Sequence, residues 1–113
     1  MDDSTEIIAT RRYYIEPPDS DLELILSFER PVREPSGYYG CTYHLTGDQE
    51  VTRYAGGGDE IHALICALEM AGSYLNHLNE HTYAGRLQWD GGSAKGSLPT
   101  ICDHWPFLKQ SGE

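Results

Sequence analysis

Positive charge is scarce in this sequence. Eight Lys and Arg stand against 18 Asp and Glu, a formal charge of −10 on 113 residues. Such a surplus repels nucleic-acid backbone and anionic membrane, so neither is expected as a direct partner. Long apolar runs are missing too: nothing approaches the roughly 18 consecutive apolar residues that a membrane helix needs. Cysteine is limited to Cys41, Cys66 and Cys102. An odd number at wide spacing reads as free thiols in a reducing compartment, not as a disulfide framework. The opening Met1–Glu6 is acidic and lacks the basic and apolar regions of a signal peptide, so a cytoplasmic location is expected.

What is present suits one packed domain. Hydrophobic residues make up 39% and aromatics 11%, enough for a single core at this length. Residues 7–15 alternate, with Ile7, Ala9, Tyr13 and Ile15 on one side and Glu6, Thr10 and Arg12 on the other, which predicts a strand. Pro17, Pro18 and the polar residues after them end it. Leu22, Leu24, Leu26 and Phe28 then share a face against Glu23, Ile25, Ser27 and Glu29. A connection through Pro31, Pro35 and Gly37 leads to a third strand, with Tyr39, Cys41, Tyr43 and Leu45 on one face and Thr42, His44 and Thr46 on the other. Gly47-Asp48 predicts a tight turn, and 51–55 a short fourth strand.

After Gly56-Gly57-Gly58 the period changes. Asp59 suits a helix N-cap, and Ile61, Leu64, Ile65, Leu68, Ala71, Leu75 and Leu78 recur at helical spacing, predicting one long amphipathic helix over about 59–79. Gly72 falls on its buried side, which suggests a close approach to the sheet. His62, Cys66, Glu69 and Ser73 fall on its outer side. Residues 86–89 suggest a fifth strand or a packing segment, and 90–99 a loop. The expected fold is α+β: a four-stranded, or five-stranded, antiparallel meander covered on one face by the helix. The domain spans 1–99. The tail 100–113 is expected to dock through Trp105-Pro106-Phe107-Leu108, since that run is too apolar to lie in water.

Several constellations suggest chemistry. His77-Leu78-Asn79-Glu80-His81 matches a zinc-hydrolase pattern, with two histidines one turn apart and a glutamate to activate water. The further carboxylate ligand that such enzymes need has no obvious source in the 32 residues that follow. The alternative function is thus a small metal-dependent hydrolase using His77, Glu80 and His81. The plainer reading is two solvated histidines at the negative end of a helix dipole. Cys102-Asp103-His104 lacks the paired spacing of a structural zinc site. The glycine run before the helix resembles a phosphate cradle, yet no Lys-Ser/Thr pair follows, and Asp59 and Glu60 put negative charge where phosphate would sit. No catalytic residue and no cofactor is therefore assigned.

Acid placement is more informative. Thirteen of the 18 acids fall within residues 1–60. The expected partner-binding residues are Asp19, Asp21, Glu23, Glu29, Glu34, Asp48 and Glu50, with Tyr38 and Tyr54 as aromatic anchors. Tyr14, Tyr38, Tyr54 and Tyr83 are the tyrosines least clearly committed to a core. Such a surface steers a basic protein partner, although the same charges also serve plain solubility. A monomer or weak homodimer is expected, and a homo-oligomeric accessory protein is a further alternative.

The helix entry Gly58-Asp59-x-x-x-Ala63-Leu64-x-x-Ala67-Leu68, the segment Leu87-x-Trp89-x-Gly91-Gly92, the strand Ile8-Ala9-Thr10-Arg11-Arg12-Tyr13-Tyr14 and Cys41-x-Tyr43 together resemble an uncharacterised family of small bacterial proteins. The resemblance covers most of 6–98 and carries no catalytic assignment. By build and charge the chain is also similar to the immunity proteins of bacterial toxin systems. That analogy implies an inhibitor that docks on a basic toxin or effector.

Overall fold

The computed structural model describes residues 6–17 and 21–100. Among the described residues seven strands and one helix follow one another: β1 (Ile7–Ile15), β2 (Glu23–Glu29), β3 (Val32–Arg33), β4 (Tyr39–Gly47), β5 (Val51–Gly57), α1 (Glu60–His81), β6 (Leu87–Trp89) and β7 (Gly92–Ser93). All pairings are antiparallel. β1, β2, β4 and β5 lie side by side in that order, as a meander of consecutive long strands predicts. The additions are short. β3 extends the line of β2 beyond Arg30-Pro31 and pairs with the start of β4. β6 joins the free side of β1 through Tyr14↔Gln88 and Ile15↔Leu87, and β7 folds back on β6.

Alternation along the strands selects one inward face. Tyr13, Ile15, Leu24, Leu26, Phe28, Cys41, Tyr43, Leu45 and Ala55 are buried and form one cluster with Ala63, Ala67, Ala71, Leu75 and Leu78 of α1. At the start of β1 the pattern fails. A register shift between Ile7 and Ala9 turns this end out of the core, and Ile7 and Ala9 are exposed instead of facing inward.

The helix begins where Asp59, in extended backbone, accepts a hydrogen bond from the His62 N–H at 2.8 Å. It runs two residues further than the apolar period suggests, ending when the N–H groups of Thr82 and Tyr83 both donate to the Leu78 carbonyl. Asn79 is buried there, and its side-chain oxygen accepts the Leu87 N–H at 2.9 Å, tying the helix end to β6.

The helix packs mainly on β4 and β5. Over β1 the inward face meets the chain after β7: Ala94 N–H donates to the Leu87 carbonyl, Tyr13 Oη lies 3.1 Å from Ser97 Oγ, and Arg11 donates to the Ser97 carbonyl. This segment explains Gly72. A side chain there would meet the Pro99 backbone and Leu98 Cβ, not the sheet. Glu69, placed on the outer side of the helix by its spacing, is buried, and Cys66 is half-buried. The residues beyond 100, including the apolar run at 105–108, lie outside the described residues.

Candidate partner-binding face

The side of the sheet turned away from α1 is polar and open to solvent. Register places its side chains in rows. One row is Thr10, Ser27, His44 and Thr52, each opposite the next on β1, β2, β4 and β5. His44 spans three strands: Nδ1 lies 3.1 Å from Thr52 Oγ1 and Nε2 lies 2.6 Å from Glu29 Oε2. Beside it Arg12 Nε donates to Glu23 at 2.6 Å. The pair is largely exposed, so it sets side-chain position more than stability.

The structure divides the predicted acidic residues between the two ends of this sheet, roughly 23 Å apart at the usual rise per strand residue. Asp21, Glu23, Asp48 and Glu50 sit at the end near Gly47. Glu29, Glu34, Tyr38 and Tyr54 sit at the other. Asp19 lies outside the described residues. Tyr54 lies across Gly40, whose missing side chain leaves room for the ring, and donates its hydroxyl to Glu34. Tyr38 is 68% exposed next to this group, which makes it the most available aromatic on the face.

Besides Glu23, held by Arg12, and Glu34, held by Tyr54, two more predicted residues are already engaged. Asp48 accepts a 2.7 Å hydrogen bond from Tyr83, and the Glu29 side chain is only 17% exposed against His44. Tyr83 is buried, so of the four uncommitted tyrosines Tyr38 and Tyr54 remain as exposed anchors. His44, Thr52 and Arg12 were missed as part of the face. Their outward phase was visible in the alternation, but only register shows which neighbours they meet.

Other chemistry finds little support. The order Thr52–His44–Glu29 is that of a hydroxyl, imidazole and carboxylate relay. Here the three belong to adjacent strands of a solvent-facing sheet, and the bonds hold β2, β4 and β5 in register. His77 and His81 lie with ring centres 4.6 Å apart and planes tilted by 40° at the exposed end of α1, and Glu80 turns to His81 at 3.6 Å. Among the described residues no three potential ligands converge as a metal site would require. Cys102, Asp103 and His104 lie outside them. At the glycine joint the Gly58 N–H donates to His62 Nδ1 and the His62 N–H to Asp59, so donors that a phosphate would need are taken.

The two described cysteines, Cys41 and Cys66, are not activated. Burial first, and Glu29 second, push the Cys41 thiol up from 9.0 to about 11. Burial likewise raises Cys66, with Glu69 adding to it. Burial and the bond to Asp48 raise Tyr83 from 10.0 to about 12. Cys41 and Tyr83 thus fold as neutral acids. Their support for the fold is complete below their unfolded values and is lost as pH rises through the folded ones. The urea midpoint is therefore expected to fall progressively from about pH 9 to about pH 12. A midpoint just as steep in pH for Cys41→Ala combined with Tyr83→Phe would remove this explanation.

Residues 9–100 match the profile of a family described as Domain of unknown function (DUF6968). The chain belongs to this family. The match takes in nearly all of β1 and every later element, and stops where the tail begins. Neither a curated protein nor a solved structure matches the chain. In this DUF6968 domain the segments that carry the sequence resemblance have structural roles. Asp59 caps α1, Trp89 lies under the Arg11 guanidinium at 3.7 Å from the ring centre, and Gly91 leaves space for that indole. Among the described residues no helix is long and apolar enough to cross a membrane.

Proposed function

We propose that this domain is a non-catalytic binding protein whose open sheet face docks a basic protein, in the manner of an immunity or inhibitor protein acting on a bacterial toxin or effector. The observation that carries this reading is the pairing of surplus negative charge with an uncommitted aromatic corner. Asp21, Glu50 and Glu34 flank the sheet, and Tyr38 stands exposed beside the Tyr54–Glu34 pair. Acidic fields of this kind speed encounter with a cationic surface, and tyrosine supplies contact area with little entropy loss.

The test is calorimetric titration with the basic product encoded beside this gene, at low and at high salt. Binding should weaken with salt. The triple variant Asp21→Lys, Glu34→Lys, Glu50→Lys should lose roughly a hundredfold in affinity, mostly through slower association. Tight binding that ignores both salt and the three substitutions would sink the acidic-face reading.

A further inference from the structure

The described chain leaves an apolar groove at the helix N-terminal end. Ile8, Arg30, Pro31, Glu60, Ile61 and Leu64 line a cavity of about 240 Å³. Ile61 is 70% and Ile8 44% exposed. The register shift in β1 is what turns this end outward. So much apolar surface in one place calls for a cover.

The path of the chain after β7 points at this groove. Ala94 is bonded to Leu87, opposite Ile15 at the far end of β1. Ser97 is bonded to Tyr13 and Arg11, further back along the same strand. Pro99 lies against Gly72, between the two ends of α1. The segment therefore climbs antiparallel to the helix, from its C-terminal toward its N-terminal end. Three residues of β1 separate Arg11 from Ile8, about 10 Å. Eleven residues of helix separate Gly72 from Ile61, about 17 Å. Six residues separate Pro99 from Trp105, and extended chain of that length reaches up to about 20 Å.

We propose that Trp105-Pro106-Phe107-Leu108 of the same chain fills the groove between Ile8, Pro31, Ile61 and Leu64. The sequence suits the site. Pro106 keeps Trp105 in extended backbone, and an indole and a phenyl ring bring large apolar area to a surface already rimmed by the polar ends of Arg30 and Glu60.

The chain has two tryptophans, Trp89 and Trp105, which makes fluorine NMR on 5-fluorotryptophan protein decisive. Trp105→Phe assigns the two signals. The Trp105 signal should differ from that of a free 100–113 peptide and be shielded from acrylamide. Ile61→Ser, at an exposed position that leaves the core intact, should return it to the peptide position without moving Trp89. A Trp105 signal at the peptide position in the unaltered protein would overturn the proposal. So would a signal that Ile61→Ser leaves unmoved, or one whose position depends on protein concentration, since the last would place the tail in another copy.

Discussion

Gly57→Ala is expected to lower the unfolding free energy by about 3 kcal/mol, the upper part of the usual range for overpacking. Gly57 ends β5 and is buried directly beneath the first turn of α1. A methyl group there would lie 2.7 Å from the His62 carbonyl carbon, 2.8 Å from Ala63 Cα, and against the Ala63 nitrogen. All three are backbone atoms, so no rotamer change relieves the overlap. The helix start would have to lift from the sheet, pulling Ala63 and Ala67 from contacts in which both are fully buried. Against a total stability of about 5–15 kcal/mol for a domain of this size, such a loss is severe. Urea denaturation followed by circular dichroism measures it. A change below about 1 kcal/mol would show that the helix entry yields more easily than its packing implies.

Gly40→Ala supplies the contrast. The nearest atoms to its added methyl would be at the ring end of Tyr54, which can swing into solvent. The expected loss is under about 1 kcal/mol. The contact between Tyr54 and Glu34 breaks, and with it the aromatic corner. Gly57 is thus tied to the fold and Gly40 to the shape of the open face, though both glycines lie in the same β4–β5 ribbon.

Much of this fold was legible in the sequence because its physics is local. Alternation in 22–29 and 39–45 identified the inward residues of β2 and β4, and the change to helical spacing after Gly58 located α1 to within two residues. The turn at Gly47 was readable as well, and its φ of +102° confirms why glycine stands there. Most of the failures involve partners distant in sequence. Gly72 was assigned to the sheet because nothing local says that Leu98-Pro99 passes over it. The inward place of Ile7 and Ala9 was lost to a register shift that only the pairing with β2 creates. β3 and β7, two residues each, carry too little pattern to be read as strands. The candidate face shows the same limit. Its acids could be counted, but Asp48 facing Tyr83 and His44 bridging Glu29 to Thr52 depend on three-dimensional neighbours.

The two faces of β4 allow stability and binding to be separated within one strand. Tyr43 points inward, is 1% exposed, and packs on Phe28 with ring centres 5.7 Å apart. Tyr43→Ala should lower stability by about 3–5 kcal/mol, through lost burial and the cavity left between sheet and helix. Burial is also the leading reason that its hydroxyl is held neutral to higher pH than usual. The ring carries the packing, so Tyr43→Phe should retain most of what Tyr43→Ala loses. Tyr38, just before β4 and pointing to solvent, offers the opposite case: Tyr38→Ala should change stability by less than about 0.5 kcal/mol. If the open face is the docking surface, that same substitution should weaken partner binding measurably while the urea midpoint stays where it was. A Tyr38→Ala protein that loses stability as Tyr43→Ala does would mean that the outer side of β4 is packed too, and that the face proposed for a partner is already occupied.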